Sequence, residues 1–247
     1  PTPSSAASDV YKRQSMGEGA ELLADELEIS RAEQEEFSFS SHNKAVAARD
    51  AGKFDNEIIP ITLEDGTVID KDSGPRNPDK DKIKSLNPAF RADGTVTAAT
   101  SSPFSIGASA MLITSEKFAN EHGLKIRAFV EGRAVAGVNW KMFGSGPVPA
   151  TEKALEKAGL TMDDIDAVEL NEAFAAQALY CIKKSNWDIN KVNLNGGAVA
   201  LGHPLGISGT RIITTLLNVL EQQDKSMGLA TMCVGTGQGI TTIIKRG

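Results

Sequence analysis

The sequence predicts a layered α/β fold, and three observations support that prediction. Apolar runs alternate with helical segments between residues 125 and 247, which is typical of crossover units that place helices against a sheet. The chain has 247 residues, of which 40% are hydrophobic, so we expect one or two domains with a sizeable core. The segment 208–222 carries an apolar stripe that should pack on the sheet, formed by Ile212, Ile213, Leu216, Leu217 and Leu220.

The first fifty residues are predicted to be helical after an irregular start. Residues 1–14 show no periodicity and no apolar signal-peptide core, so we interpret them as a disordered or foreign tail joined to a protein whose true beginning is missing. Apolar residues recur at helical spacing from Met16. The letters "SRAE" at residues 30–33 predict a capping box for a second helix that ends near Gly52.

The middle of the chain is predicted to contain two strands separated by a long excursion. "NEIIPITL" at residues 56–63 has the composition of a strand, and residues 64–97 are polar and contain several prolines. Long loops of this kind often serve a site. "IGASAMLIT" at residues 106–114 is a short apolar run with small residues, which predicts a strand buried on both faces.

The remaining sequence predicts alternating strands and helices. The predicted strands are 126–137, 167–171, 192–195, 228–234 and 240–246. The predicted helices are 150–158, which Gly159 should end, 172–184 and 208–222. The last two strands are close enough in sequence to form an antiparallel hairpin.

Composition excludes several classes of function. The net charge is −6 and no basic cluster stands out, so a nucleic-acid partner is not favoured. No apolar run approaches the roughly 18 to 20 residues that a membrane span needs. Two cysteines cannot form a disulfide framework, which fits a reducing compartment and predicts a cytoplasmic protein.

Isolated histidines and cysteines do not predict a metal site. His203 and Cys233 are thirty residues apart in sequence, whereas a zinc site needs three or four ligands. His42 and His122 lie in polar helical sequence and are expected at the surface. Cys181 occupies an apolar position of a predicted helix and is expected in the core.

Candidate catalytic groups follow three predicted strands at their carboxyl ends, where open α/β sheets bind ligands. The segments are "NEAFAAQ" at 171–177, "GGAVALGHPLG" at 196–206 and "MCVGTGQG" at 232–239. Asn171 offers an amide donor, His203 a base, Cys233 a thiol and Gly235 an accessible backbone N–H, which together suit carbanion or acyl chemistry. Taken singly, each has a simpler interpretation: Asn171 as a helix cap, the glycine-rich turn as a tight connection, and Cys233 as a core residue.

Four motifs, in this order and spacing, resemble the thiolases: "GPVPA", "NEAFAAQAL", "NLNGGAVALGHPLGISGTR" and "GLATMCVGTGQG". The resemblance extends from about Met16 to Gly247. The features "NEIIP", "TSS" and "LLNVLEQQD" are more similar to the degradative 3-ketoacyl-CoA thiolases than to the biosynthetic acetoacetyl-CoA enzymes.

The resemblance implies a fold of two halves, each a βαβαβαββ layer, with a helical loop domain that binds coenzyme A. Residues 15–104 match that loop domain, 105–124 the closing strand and following segment of the first half, and 125–247 the second half. Most of the N-terminal half is then expected to be missing. The family's nucleophilic cysteine lies there in a Cys-x-Ser-Gly segment, and this sequence contains none, so we expect the chain alone to be inactive.

The resemblance also implies a role for each candidate catalytic residue. His203 is the base that activates the nucleophilic thiol, and Cys233 exchanges a proton with the α-carbon of acetyl-CoA. His203 and a water held by Asn171 stabilise the enolate oxygen, and the N–H of Gly235 serves the acyl-enzyme step. No metal is required.

Coenzyme A is implied as a substrate, and no permanently bound cofactor is expected. The resemblance places Ser102 near the pantetheine, Phe90 and Ala98 around the pantetheine and adenine, and Arg76 near the nucleotide. It places Met142, Ala173 and Phe174 along the acyl end. The spacing between Arg76 and Phe90 differs by one residue from the family pattern. Ser15 replaces a histidine, and Ile106 an aspartate, found in many members.

The implied activity is that of an acetyl-CoA C-acyltransferase, which cleaves 3-ketoacyl-CoA with CoA in fatty-acid β-oxidation. One alternative is a biosynthetic acetyl-CoA acetyltransferase. Another is a non-catalytic thiolase-like protein that binds CoA. The implied partners are acyl-CoA and CoA, and for the full-length enzyme a homo-oligomer, either dimer or tetramer, or a β-oxidation complex.

Overall fold

Two capped helices open the part of the chain described by the computed structural model, residues 15–247; the tail predicted at residues 1–14 lies outside it. Helix α1 spans Met16–Glu26 and helix α2 spans Arg31–Asp50. Ser15 and Ser30 each accept a hydrogen bond from the backbone N–H three residues later and complete a capping box, which satisfies N–H groups that the helix leaves unpaired. The predicted capping box at Ser30 is confirmed.

The region after α2 is largely irregular. Strand β1, Ile61–Thr62, pairs with β2, Val68–Ile69, in a small antiparallel hairpin. Helices α3, Lys80–Lys84, and α4, Glu116–Glu121, are short. The strand predicted over residues 56–63 shrinks to its last residues, because only the two residues of β2 pair with it.

The strand predicted at residues 106–114 is wrong. This segment is irregular, and its large apolar side chains Ile106, Leu112 and Ile113 are exposed. A strand needs a neighbouring strand to pair with its backbone groups, and this segment joins neither of the two sheets formed by the described residues. Apolar composition alone therefore predicted the wrong conformation here.

A four-stranded mixed sheet is the centre of the C-terminal half. Its strands are β3, Ala128–Gly137, β4, Ala167–Leu170, β5, Met227–Val234, and β6, Gln238–Arg246. The spatial order is β3-β6-β5-β4. Strands β5 and β6 form the predicted antiparallel hairpin, whereas β4 runs parallel to β5.

The strand predicted at residues 192–195 is reduced to one parallel bridge between Val168 and Val192. The reason is local, because Asn193 has a positive φ of 47°. Its side chain makes the hydrogen bonds that a neighbouring strand backbone would make: it accepts from the N–H of Leu170 and donates to the carbonyl of Leu170, both at 2.8 Å. The βαβαβαββ pattern implied for this half is therefore four strands and a bridge.

Helices cover both faces of this sheet. Helix α5, Pro147–Ala158, packs on β3 and β6 and ends at Gly159, which has a positive φ of 66° as its predicted role requires. Helix α8, Ser208–Gln222, packs on β4 and β5 and has the predicted bounds. The predicted stripe of α8 faces the sheet: four of its side chains are buried and Ile213 packs against them partly buried. Helices α6, Ala175–Lys184, and α7, Ala198–Leu201, complete the layers.

Helix α6 begins three residues later than predicted. Phe174, at its N-terminal end, is extended with φ −143°, because residues 173 and 174 pair with another segment: Ser102 N–H donates to the carbonyl of Ala173 at 3.0 Å, and Ser101 bridges Phe174. Asn171 therefore lies in extended chain between β4 and α6 and does not cap the helix. No helix among residues 15–247 is both long and apolar enough to cross a membrane.

Candidate active site

The three segments predicted to carry catalytic groups meet at one edge of the sheet. Because β4 and β5 are parallel, their carboxyl ends lie together, and Asn171 N–H donates to the carbonyl of Thr231 at 3.0 Å, two residues before Cys233. Asn171 Nδ2 lies 3.4 Å from His203 Nε2. The structure thus brings Asn171 and His203 into contact beside the end of the strand that carries Cys233.

His203 is held by a glycine-rich connection, the His203 loop, which we define as residues 196–207 and which includes the short helix α7. Gly202 has a positive φ of 97°, and a Cβ there would lie 2.3 Å from Ser105 Oγ, so glycine is required. His203 Nδ1 lies 2.6 Å from Ser208 Oγ, and the Ser208 hydroxyl donates to the carbonyl of Pro204 at 3.0 Å. Because the one hydroxyl proton of Ser208 is directed to Pro204, this network favours the tautomer with its proton on Nδ1, which presents an unprotonated Nε2 to Asn171.

Ser208 is a polar residue of this candidate site that sequence reasoning missed. It is fully buried at the first position of α8, five residues after His203. A hydroxyl residue at the start of the helix that follows a candidate base was the available signal. Its hydroxyl is the hydrogen-bond partner of His203 Nδ1.

Burial keeps His203 in its neutral form. Removal of the ring from water, helped by the positive charge of Arg211, lowers the pKa of His203 to about 4. At neutral pH the Nε2 lone pair is available to accept a proton, as a general base requires.

Asn171 presents an unpaired polar atom in this site. The side chain is fully buried, and its Oδ1 has no hydrogen-bond partner among the described residues. Buried amide oxygens are almost always paired, so this atom is an acceptor available to a water or ligand beside His203.

Cys233 is the second-last residue of β5, and Gly235 begins the turn between β5 and β6. The Cys233 side chain is buried, and burial raises the pKa of its thiol to about 12, so it is a proton donor at neutral pH. Gly235 is exposed at the start of the turn and a Cβ there would meet nothing within 4 Å. Cys181, by contrast, is buried in α6 and donates to the carbonyl of Gly144 at 3.3 Å, which confirms its predicted place in the core.

Four of the residues implied to contact CoA form two contacting pairs. The rings of Phe90 and Phe174 pack edge to face with centroids 5.9 Å apart, and Ser102 hydrogen-bonds to Ala173. Phe90 is partly exposed and Phe174 is buried, so the pair offers one accessible aromatic surface supported from below.

The other three lie on separate segments. Arg76 is exposed, and Ala98 is exposed at the start of the 3-10 turn Ala98–Thr100. Met142 is partly buried against the core, at a kink with φ −106° and ψ 32°. Their implied contacts with CoA remain predictions.

His42 is buried, with only 4% of its surface exposed, and its predicted surface position is wrong. The prediction was wrong because the buried face of α2 is unusually polar and was taken for the solvent-exposed face. The buried residues of α2 are Gln34, Ser38, Ser41, His42, Ala45 and Ala48. His122 is exposed, as predicted, and stacks on Phe118.

The His42→Gln variant should weaken the pH dependence of stability. Burial, helped by the charge of Arg76, lowers the pKa of His42 from 6.5 to about 4. As the pH falls below 6.5, the unfolded chain binds a proton that the folded chain does not bind until about pH 4, so the free energy of unfolding decreases. We expect urea unfolding at about pH 7.5 and about pH 5 to differ less in the variant than in the parent chain. The exposed His122→Gln is the control, and equal differences in parent and His42→Gln would contradict the prediction.

Models of the two thiolase domains match nearly the whole chain. The model described as the thiolase C-terminal domain matches residues 124–246, and the one described as the thiolase N-terminal domain matches residues 2–117. The chain belongs to the thiolase family. Because the N-terminal model matches residues 2–117, the N-terminal domain is not simply absent, which corrects the prediction that the chain lacks most of it.

Curated thiolases from bacteria are similar over almost the entire chain. A 3-ketoacyl-CoA thiolase of Vibrio parahaemolyticus is 53% identical over 244 residues, covering 94% of this chain and 61% of the relative. One of Vibrio cholerae is 54% identical over 241 residues, with 94% and 62% covered. The chain thus spans about three fifths of the length of these relatives.

Solved structures of thiolases share the fold. The Bacillus anthracis acetyl-CoA acetyltransferase matches with a TM-score of 0.97 and 41% identity, covering 100% of this chain and 64% of that one. Human mitochondrial 3-ketoacyl-CoA thiolase in complex with CoA matches with a TM-score of 0.96 and 39% identity, covering 99% and 62%. The predicted thiolase-like α/β fold is confirmed.

Proposed function

We propose that this chain carries the proton-transfer groups of a thiolase that cleaves 3-ketoacyl-CoA with CoA into acetyl-CoA and a shortened acyl-CoA. The observation that carries the proposal is the contact between Asn171 and Nε2 of His203, at the sheet edge beside Cys233. Relatives at 53% identity that are named 3-ketoacyl-CoA thiolase support this direction over the biosynthetic one.

The first step is attack of a cysteine thiol on the 3-keto carbon. His203 Nε2 takes the thiol proton, a carbon–sulfur bond forms, and the bond between C2 and C3 breaks with its electron pair left on C2. The resulting thioester enolate places negative charge on its oxygen. The newly protonated Nε2 donates to that oxygen, and a water bound by Asn171 donates beside it.

Cys233 completes the cleavage by protonating C2. Its thiol is neutral at working pH because burial raises its pKa, so it holds the proton that the enolate needs, and acetyl-CoA leaves. The Cys233 thiolate then takes the proton of the incoming CoA thiol. The CoA sulfur attacks the acyl-enzyme, whose carbonyl oxygen accepts from the N–H of Gly235, and His203 returns its proton to the released cysteine.

The residues implied to bind CoA lie mostly in the proposed loop domain, residues 15–104. In this proposal Ser102, Phe90 and Ala98 hold the pantetheine and adenine, and Arg76 the nucleotide. Ala173, Phe174 and Met142 line the acyl end. The acting enzyme is a homo-oligomer or part of a β-oxidation complex.

The nucleophilic thiol of the first step is not one of the two cysteines of this chain. Neither Cys181 nor Cys233 stands in a Cys-x-Ser-Gly segment, and Cys181 is enclosed in the core. We therefore expect no thiolysis by the chain alone. The proton transfer between Cys233 and acetyl-CoA does not need the nucleophile and is expected to persist.

Two assays on the purified chain test this proposal. Acetoacetyl-CoA and CoA should be consumed no faster than in buffer, whereas the methyl protons of acetyl-CoA should exchange with D₂O, as followed by NMR. Thiolysis by the parent chain that disappears in His203→Ala would overturn the expectation that the chain lacks the nucleophilic cysteine. Binding of CoA without any methyl-proton exchange would favour the non-catalytic alternative.

The biosynthetic alternative is kept because the acetyl-CoA acetyltransferase structure superposes over the entire chain. The two directions share the proton transfer and differ in the length of the acyl chain accepted. Calorimetric titration of the chain with acetoacetyl-CoA and with a long-chain acyl-CoA separates them. Tighter binding of the long chain is expected here, and exclusive binding of the four-carbon ligand would favour the biosynthetic enzyme.

A further inference from the structure

Glu172, the residue after Asn171, is a fully buried carboxyl group outside the catalytic steps above. Three donors from three different segments surround it. Asn193 Nδ2 donates to Oε1 at 2.7 Å, while Ser41 Oγ and the N–H of Val199 donate to Oε2 at 2.7 and 3.1 Å. A site made only of donors suits the ionised carboxylate and not the acid.

The carboxylate is fitted against the His203 loop. A Cβ at Gly197 would lie 2.1 Å from Glu172 Cδ, so the carboxyl group occupies the space of a side chain at that position. Ser41 extends the contact, because its hydroxyl accepts from the N–H of Gly197 at 3.1 Å while donating to Glu172. Glu172 thus holds two N–H groups at the start of α7, that of Val199 directly and that of Gly197 through Ser41.

The charge of Glu172 has compensating partners. Burial raises the pKa of Glu172, whereas its hydrogen bonds from Asn193, Ser41 and Val199 and the charge of Arg211 favour the ionised form. Burial likewise lowers the pKa of Lys44, and the charge of Glu172 opposes that effect. Lys44 and Glu172 line one cavity of about 320 Å³, and the Lys44 ammonium donates to the carbonyl of Val192 at 3.0 Å. Removing one partner of such a network leaves the others unpaired, which is costly in a buried site.

We propose that ionised Glu172 is a positioning residue for His203: it anchors the start of the His203 loop to α2 through Ser41 and to β4 through Asn193, and so keeps His203 against Asn171 and Ser208. Asn193 is itself bonded to Leu170, so one network joins the end of β4 to the loop. Helix α2 thereby determines the geometry of a catalytic base that lies on another part of the chain.

The Glu172→Gln variant tests this proposal without any measurement of enzyme activity. Its amide NH₂ must face another donor, either the N–H of Val199 or the NH₂ of Asn193, so the loop loses an anchor. Ring ¹⁵N spectra of the parent chain should show His203 with its proton on Nδ1 only. In the variant we expect both tautomers and about tenfold faster exchange of the Nδ1 proton with solvent, the effect of about one lost hydrogen bond.

Glu21→Gln is the matched control, because Glu21 is equally buried and accepts from Thr95 and Val96. The Glu21→Gln variant should lose about as much free energy of unfolding as Glu172→Gln and leave the His203 spectrum unchanged. A folded Glu172→Gln with the parent spectrum overturns the proposal. If Glu172→Gln does not fold, Ser41→Ala decides, since it removes the hydroxyl that joins Glu172 to Gly197 and keeps the carboxylate with its bonds from Asn193 and Val199. A smaller change in the same direction supports the proposal, and the absence of a change overturns it.

The inference rests on the proposed function only for the catalytic role of His203. The spectra report the position and tautomer of the His203 ring and not catalytic activity, so their outcome is independent of the proton-exchange assay. A His203 response without methyl-proton exchange would refute the proposed function alone, and exchange without a His203 response would refute the positioning role alone.

Discussion

Replacing Cys233 by alanine lowers the exchange of acetyl-CoA methyl protons with D₂O by about 10² to 10⁴-fold, the usual contribution of a general acid–base group. The reason is that Cys233 provides the group that removes and returns the α-proton in the proposed mechanism. Its thiol has a pKa of about 12 because it is buried, so the small thiolate fraction is a strong base. Proton NMR of the methyl signal over time measures the rate.

The same pKa predicts the pH dependence of this exchange. Below pH 12 the thiolate fraction rises about tenfold for each pH unit, so the exchange rate should rise with the same slope in the parent chain between about pH 7 and about pH 9. His203 contributes no change in this range because its pKa is lowered to about 4. A rate independent of pH would contradict Cys233 as the base.

Cys181→Ala is the matched control for Cys233→Ala. Both cysteines are free and buried, but Cys181 lies within α6 and hydrogen-bonds to Gly144 in the core. Its removal should lower stability slightly and leave the exchange rate within about twofold of the parent, since no proton-transfer group is lost. Equal losses in the two variants would show that packing, not proton transfer, sets the rate.

Replacing Gly239 by alanine costs roughly 3 kcal/mol of the free energy of unfolding, the upper end for overpacking a tight site. A Cβ on Gly239 would lie 2.1 Å from the carbonyl carbon and oxygen of Gly146. Those atoms belong to the backbone at the start of α5, and β6 is paired on both sides by β3 and β5. Neither partner can move without breaking hydrogen bonds, so the added methyl strains the fold. Urea unfolding measures the loss.

This substitution should also affect the candidate active site. Gly239 is the antiparallel partner of Cys233, so a displaced β6 moves the thiol, and methyl-proton exchange should fall in the folded fraction. Gly137→Ala is the control, because Gly137 is exposed in β3 and a Cβ there meets nothing within 4 Å. Its stability should stay within about 0.5 kcal/mol of the parent. Equal stability of Gly239→Ala and the parent would refute the close contact.

Much of the fold was predictable because its signals are local. The stripe of α8 and the capping box at Ser30 depend on residues within a few positions of one another. The hairpin of β5 and β6 has the same character, since its strands are neighbours in sequence. The predicted strand at residues 106–114 and the predicted surface exposure of His42 were wrong because each property depends on which residues pack beside it in the folded chain.

The sequence by itself determined which groups follow β4 and β5 and the order in which Asn171, His203 and Cys233 occur. Only the tertiary structure decided the tautomer of His203, through Ser208, and the anchoring of its loop, through Glu172 and Ser41. The physical reason is that periodicity and composition report how a residue relates to its own helix or strand. Hydrogen bonds between Ser41 and Glu172, which are 131 residues apart, depend on how separate elements pack, and no local pattern records that.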